Sequence, residues 1–216
     1  NKLRMGETTA IGGEGGFPVA ASKIPEYWGT LERQGISINF GSYFSQTQTR
    51  VPVLGMSARA PTPAELDRMR AIMDTAMRAG AMGMTTALIY PPSSYSTTDE
   101  LVEVGKVAAR YGGIYASHIR GEGKEVVQSV REAIEVGERA GMPVEVFHLK
   151  VAYRPGGGVL MDSVRQAVAA MRAQSSNSEN SAGMTGLGAP RAGARLQIRA
   201  RLARSVRARR RAAHLI

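Results

Sequence analysis

The chain has 216 residues, of which 43% are hydrophobic, and this size and composition predict one globular domain with a sizeable core. It contains no cysteine, which excludes disulfides and thiolate metal sites and is compatible with a reducing compartment, and we expect a cytoplasmic protein. No apolar run approaches the length of a membrane span and no signal-peptide pattern opens the chain, so we expect no membrane partner.

The net charge of +10 is unevenly distributed along the chain. Residues 174–216 contain nine Arg, no Lys and one acidic residue, Glu179, whereas residues 1–173 contain 19 basic and 17 acidic residues. The body of the protein is therefore close to neutral, and the basic character belongs to the C-terminal segment.

Five strand-like runs alternate with helical stretches between residues 8 and 173. Strands are predicted at 8–16 (with a glycine-rich loop), 36–43, 82–90, 113–119 and 143–149, and helices at 25–35, 63–80, 97–111, 124–141 and 160–173. This alternation predicts a parallel α/β fold whose apolar strands are covered on both faces. An open doubly wound sheet and a (β/α)8 barrel both remain open, although five units are too few to close an eight-stranded barrel.

Two of the helices carry more specific signals. The helix that Pro63 opens has a methionine-rich face, which we interpret as core rather than as a cofactor site. Thr97 and Glu100 stand three residues apart at the start of the following helix, a spacing typical of a capping box.

Two histidines, His118 and His148, lie near the C-terminal ends of the last two predicted strands, each followed two residues later by a cation, Arg120 or Lys150. Parallel strands joined by a helix end at the same edge of a sheet, so we expect these four side chains to converge. Imidazoles that hold a divalent ion and cations that hold an anionic substrate are what a metal-dependent hydrolase requires. Taken alone, each histidine is more often a hydrogen-bonded structural residue, and a strand-end cap is an alternative role for Lys150.

The Arg/Ala-rich segment 174–216 interrupts the alternation where a sixth strand is due. Three interpretations remain open: a disordered basic tail that binds nucleic acid or acidic surfaces, a solvated tail without a partner, and out-of-frame or non-native sequence. We favour the third interpretation because the break falls in the middle of a fold unit.

Four blocks between about residues 5 and 173 resemble the N-acyl-D-amino-acid deacylase (D-aminoacylase) branch of the amidohydrolase superfamily. They read MGETTAIGGEGG, AGAMGMTTALIYPPSSYSTTDELVEV, YASHIRGEG and VEVFHLK. The resemblance implies that residues 1–173 form a partial (β/α)8 TIM barrel of about five βα units, a fragment of the family's fold. It also implies zinc (one or two ions), hydrolysis of the amide C–N bond, and a small-molecule N-acyl amino acid as substrate.

The resemblance implies a role for six residues. His118 and His148 match the two strand-end zinc ligands, and Glu14 falls where the family has a Cys or Glu ligand. Lys150 and Tyr90 match residues that contact the substrate carboxylate, and Arg120 is expected to assist them.

Two parts of the family's site have no counterpart in this sequence: the His-x-His motif upstream of the first block, and the late-strand Asp that acts as general base. We therefore assign no catalytic residue and expect an incomplete hydrolase. The alternatives are a non-catalytic truncated remnant, and a basic-tailed protein that binds nucleic acid, which the neutral body and the lack of a reading motif disfavour. The sequence assigns no oligomeric state.

Overall fold

Parallel strands form the centre of the molecule, whose computed structural model describes residues 1–182. The strands are β1 (Thr9–Gly12), β2 (Asn39–Ser42), β3 (Phe44–Ser45), β4 (Gly83–Ala87), β5 (Ile114–His118) and β6 (Val144–Val146). β1 pairs with β2, and β3 to β6 pair in sequence order, every pair being parallel. The five predicted strand regions are thus confirmed, each with a shorter span, and the two-residue strand β3 is an addition.

Only Tyr43 separates β2 from β3, so this stretch of chain links the two sheets. The Tyr43 amide donates to the carbonyl of Gly12 over 3.1 Å, and the Met82 amide donates to the carbonyl of Ser42 over 3.0 Å. The strands therefore follow one another in space in the order in which they occur in the chain. This sequential order is that of a (β/α)8 barrel, whereas in a doubly wound sheet the strand order reverses.

Six α-helices accompany these strands in residues 1–182. They are α1 (Ile24–Gln34), α2 (Gln46–Leu54), α3 (Pro63–Arg78), α4 (Thr98–Arg110), α5 (Val126–Ala140) and α6 (Gly157–Ala182). The five predicted helices are confirmed, and α2 is an addition. Ser45 and Gln48 begin α2 with a reciprocal capping box, in which each side chain bonds a backbone amide of the first turn.

The predicted capping box of α4 is wrong in its second half. Thr97 does cap the helix, because its hydroxyl accepts from the Glu100 amide. The Glu100 carboxylate turns away from the helix start into the protein interior, where it accepts from Gln46, Arg50 and Ser96. An ion pair with a buried arginine therefore replaces the expected return contact to the helix end.

The central strands and the helices that cover them form the core. Met69, Met73 and Met77 of α3 are buried, which confirms the interpretation of this methionine-rich face as core. The prediction that the strands are covered on both faces is confirmed for β4 and β5, most of whose residues are buried. β1 and β6 are partly exposed. Close packing of β4 against β5 requires glycine at position 83, because a Cβ there would stand 2.0 Å from the carbonyl oxygen of Ile114 on the paired strand.

The last helix is longer than predicted, since α6 runs from Gly157 to Ala182 and not only over residues 160–173. Residues 183–216 lie outside the described residues, and the three interpretations of the Arg-rich segment stay predictions. Across residues 1–182, no helix combines the length and the apolar character needed to cross a membrane.

Candidate metal centre

Glu14, His118 and His148 meet at the C-terminal ends of three parallel strands. His118 is the last residue of β5, whereas Glu14 and His148 each follow the end of a strand, β1 and β6, by two residues. Oε1 of Glu14 lies 2.9 Å from Nδ1 of His118 and 3.0 Å from Nε2 of His148. The two imidazole nitrogens are themselves 3.1 Å apart, so three potential ligand atoms face one point.

Two backbone turns place the first and last of these residues. Gly13, just before Glu14, has φ of +94°, and a Cβ there would lie 2.8 Å from the Tyr43 amide nitrogen, so only glycine fits this turn. His148 has φ of +36°, a left-handed conformation that costs free energy in a residue with a side chain. The expectation that His148 lies in a strand is therefore corrected: β6 ends at Val146, and a turn directs the imidazole to the cluster.

The cluster is buried on one side and open on the other. The side chain of His118 is 9% exposed, whereas those of Glu14 and His148 are 45% and 38% exposed. The rings of the two histidines are nearly perpendicular, at 83°, with centroids 4.4 Å apart. A hydrogen bond from His118 holds the pKa of the Glu14 carboxyl below its ordinary value, and a second bond from His148 acts in the same direction.

The hydrogen-bonding pattern of this triangle fits a cation at its centre. A carboxylate only accepts, so both imidazoles must donate to Glu14 if each short contact is to be a hydrogen bond. The two N–H groups then face each other across 3.1 Å, which is unfavourable. A shared cation would instead take a lone pair from each of the three atoms. Two imidazoles and a carboxylate are a typical zinc ligand set, and ligand atoms around tetrahedral zinc are about 3.3 Å apart.

Glu122 is a residue of this site that the sequence analysis missed. Its Oε1 lies 2.5 Å from Nζ of Lys150, 3.2 Å from Nδ1 of His148 and 3.6 Å from Nε2 of His118. These are the ring nitrogens on the opposite side from Glu14. The sequence feature that could have identified Glu122 is its position, four residues after His118 in the loop that follows β5.

The three residues expected to contact substrate occupy different positions. Lys150 Nζ lies 3.2 Å from Nδ1 of His148, and the Tyr90 ring packs edge-on to His118 with centroids 5.5 Å apart. Arg120 does not join the cluster. Its guanidinium donates to the Glu132 carboxylate and to the carbonyls of Ser94 and Ser96, contacts that fasten the loop after Tyr90.

Comparison with known proteins places this geometry in context. No protein-family model matches the chain. Two curated proteins of Alcaligenes xylosoxydans xylosoxydans are similar to it: a D-aminoacylase, 29% identical over 194 residues, and an N-acyl-D-aspartate deacylase, 30% identical over 196 residues. These matches cover 80% and 79% of this chain but only 40% and 39% of the relatives, so the chain spans well under half of their length.

The solved structures that are similar to this chain are also deacylases of this kind. An N-acyl-D-glutamate deacylase from Bordetella bronchiseptica, complexed with zinc and a phosphonate inhibitor, superposes with a TM-score of 0.69 and 27% identity. It matches 80% of this chain and 40% of its own. Over the part of their length that it spans, the chain is similar to the D-aminoacylases, which are amidohydrolases. A D-aminoacylase structure described for its binuclear metal centre matches 78% of this chain and 40% of its own, with a TM-score of 0.68 and 26% identity.

The similarity to these solved structures resolves the choice of architecture that the strand pattern left open. The sequential parallel strands are part of an amidohydrolase (β/α)8 barrel, and the predicted partial barrel is confirmed.

Proposed function

We propose that this chain carries the zinc-binding side of a D-aminoacylase-type hydrolase, which cleaves the amide C–N bond of N-acyl-D-amino acids. The observation that carries the proposal is the convergence of Glu14, His118 and His148 on one point at the ends of three parallel strands. The similarity to deacylases of N-acyl-D-amino acids, one of them complexed with zinc, supports the choice of metal and substrate class.

The three ligands define what the chain contributes to the chemistry. A bound zinc ion would polarise the amide carbonyl and lower the pKa of a coordinated water. Glu14 supplies the one negative charge of the ligand set, and the exposed side of the cluster admits substrate. The buried His118 closes the opposite side and keeps bulk water away from it.

Lys150 is the residue of this chain best placed to hold the substrate carboxylate. Its side chain is 51% exposed, and an ammonium group has three hydrogens to donate. Glu122 accepts one of them, so donors remain for an anionic substrate beside the cluster. The exposed ring of Tyr90 flanks His118 and would contact the same substrate. These positions orient an N-acyl amino acid with its amide towards the three ligands.

Hydrolysis by the purified chain tests the proposal. The chain, loaded with one equivalent of zinc, is incubated with N-acetyl-D-amino acids, and release of the free amine is measured against the matching L-enantiomers and against chelator-treated protein. The expected result is slow, zinc-dependent release of amine from the D-enantiomers alone, because the sequence has no counterpart of the family's general base. A chain that binds zinc but releases no amine would contradict the proposed hydrolysis and leave the metal site standing.

A further inference from the structure

One carboxylate oxygen faces the outer nitrogens of both candidate zinc ligands. Oε1 of Glu122 is 3.2 Å from Nδ1 of His148 and 3.6 Å from Nε2 of His118, and the Glu122 side chain is only 12% exposed. Each histidine presents its other nitrogen to the Glu14 side. Glu122 therefore lies behind the two ligands, where an acceptor decides which ring nitrogen carries the proton.

His148 has two competing neighbours at its outer nitrogen, Nδ1. Lys150 Nζ and Glu122 Oε1 both lie 3.2 Å away, and the ammonium can only donate whereas the carboxylate can only accept. If Lys150 donates to Nδ1, the proton of the neutral ring sits on Nε2, which then has no lone pair for a metal. If Nδ1–H donates to Glu122, the lone pair of Nε2 faces Glu14 and is available for coordination.

His118 depends on Glu122 for a different reason. Its Nε2 is buried and has no hydrogen-bond partner among the described residues. Coordination through Nδ1 requires the proton on Nε2, and burying an N–H without an acceptor is costly. The carboxylate of Glu122 lies 3.6 Å from this nitrogen, just beyond hydrogen-bond distance, and a small movement would bring it close enough to accept the proton.

We propose that Glu122 is a positioning residue that accepts the outer-nitrogen protons of both imidazoles when a metal occupies the Glu14 side of the cluster, and that draws the Lys150 ammonium away from His148. The inference rests on the proposed zinc site and adds to it the residue that makes the two histidines competent ligands. Carboxylates behind zinc-bound histidines act in this way, and their loss typically weakens metal binding about 10- to 100-fold.

Zinc affinity and ring tautomers test the proposal together. Glu122→Met removes the acceptor, Glu122→Gln retains one acceptor oxygen, and Glu125→Met alters an exposed residue of the same loop as a control. Titration calorimetry is expected to show zinc binding weakened about 10- to 100-fold in Glu122→Met, less in Glu122→Gln, and unchanged in Glu125→Met. Equal affinity in the parent and Glu122→Met would overturn the proposal.

The tautomers are read by ¹⁵N NMR at about pH 8 in the metal-free Glu14→Met variant, because the Glu14 carboxylate competes for the same protons when no metal is bound. In this variant we expect the protons on Nδ1 of His148 and on Nε2 of His118, and adding Glu122→Met is expected to move the His148 proton to Nε2. Glu122→Gln serves if Glu122→Met does not fold, with a smaller shift expected. Unchanged tautomers would overturn the role of Glu122, whereas expected tautomers in a chain that binds no zinc would instead contradict the metal site.

Discussion

The guanidinium of Arg50 and the carboxylate of Glu100 form an ion pair of 2.5 Å that is closed to solvent, with side chains 0% and 1% exposed. Arg50 also donates to the carbonyls of Ser57 and Arg59, so the pair joins α2 to α4 and to the loop before α3. Replacing Arg50 by Met leaves a buried carboxylate without its cation. We expect a loss of about 3–5 kcal/mol in the free energy of unfolding, measured by urea denaturation.

Arg33→Met, at an exposed position of α1, is the control for this substitution and is expected to change stability by less than about 0.5 kcal/mol. The double variant Arg50→Met/Glu100→Met removes both charges and should recover most of the loss, because no isolated charge remains buried. A loss below about 1 kcal/mol in the single variant would contradict the role given to the pair.

Gly83→Ala tests the close approach of β4 and β5. The added Cβ would stand 2.0 Å from the Ile114 carbonyl oxygen, so the paired strands must separate. We expect a loss of roughly 1–3 kcal/mol on thermal denaturation, as for an overpacked core. Gly158→Ala, where a Cβ meets nothing within 4 Å, is the matched control and should cost nothing. Equal stability of the two variants would contradict this expectation, since it would mean that β4 and β5 separate without loss of unfolding free energy.

Arg120→Lys separates a structural role of Arg120 from a substrate-binding one. A lysine cannot reproduce the forked contacts to Glu132, Ser94 and Ser96, so stability should fall by about 1–3 kcal/mol. Zinc affinity should be unchanged, because the guanidinium does not touch the cluster. The exposed Arg131→Lys is the control. Unchanged stability combined with weaker binding of an N-acyl amino acid would restore the role expected from the sequence.

Asp74 gives the stability a dependence on pH. The hydroxyl of Tyr111 donates to its carboxylate over 2.6 Å, and this bond, aided by Arg78, holds the pKa of Asp74 below its ordinary value. A depressed folded-state pKa stabilises the protein above the unfolded value of about 3.9, and the effect disappears as pH falls through the folded value. Asp74→Asn should therefore cost less than about 1 kcal/mol at pH 7 and progressively less below about pH 4.

Urea denaturation from pH 7 to pH 3 measures this dependence for Asp74→Asn and for Tyr111→Phe, which removes the donor but keeps the ring. Both variants should approach the parent at low pH. A difference that stays constant over the whole range would mean that the Asp74 charge is not responsible.

The alternation of strands and helices was predictable from the sequence because apolar runs, glycines and prolines mark the element boundaries locally. The convergence at one edge of residues such as His118 and His148 followed from the parallel order alone. α2 was missed because its sequence, QTQTRVPVL, lacks an apolar period and its start depends on the Ser45–Gln48 capping box.

Contacts between side chains that are distant in the sequence were harder to predict. Glu100 has the spacing of a capping residue, but the buried Arg50 offers its carboxylate a stronger contact. Glu122 gave no periodic signal, and its role depends on a turn that brings His148 and Lys150 back towards the end of β5. The position of Glu14 relative to the histidines follows from the pairing of β1 with β2, which no local pattern encodes.

Glu14, His118 and His148 are proposed to hold one zinc ion, and the most direct test of this site is the zinc content of the purified chain, measured by mass spectrometry. The double variant His118→Ala/His148→Ala removes two ligands, and His214→Ala removes the third histidine of the sequence as a control. We predict about one zinc ion per chain in the parent and in His214→Ala, and none in the double variant. A parent without zinc, or a double variant that retains it, would contradict the site.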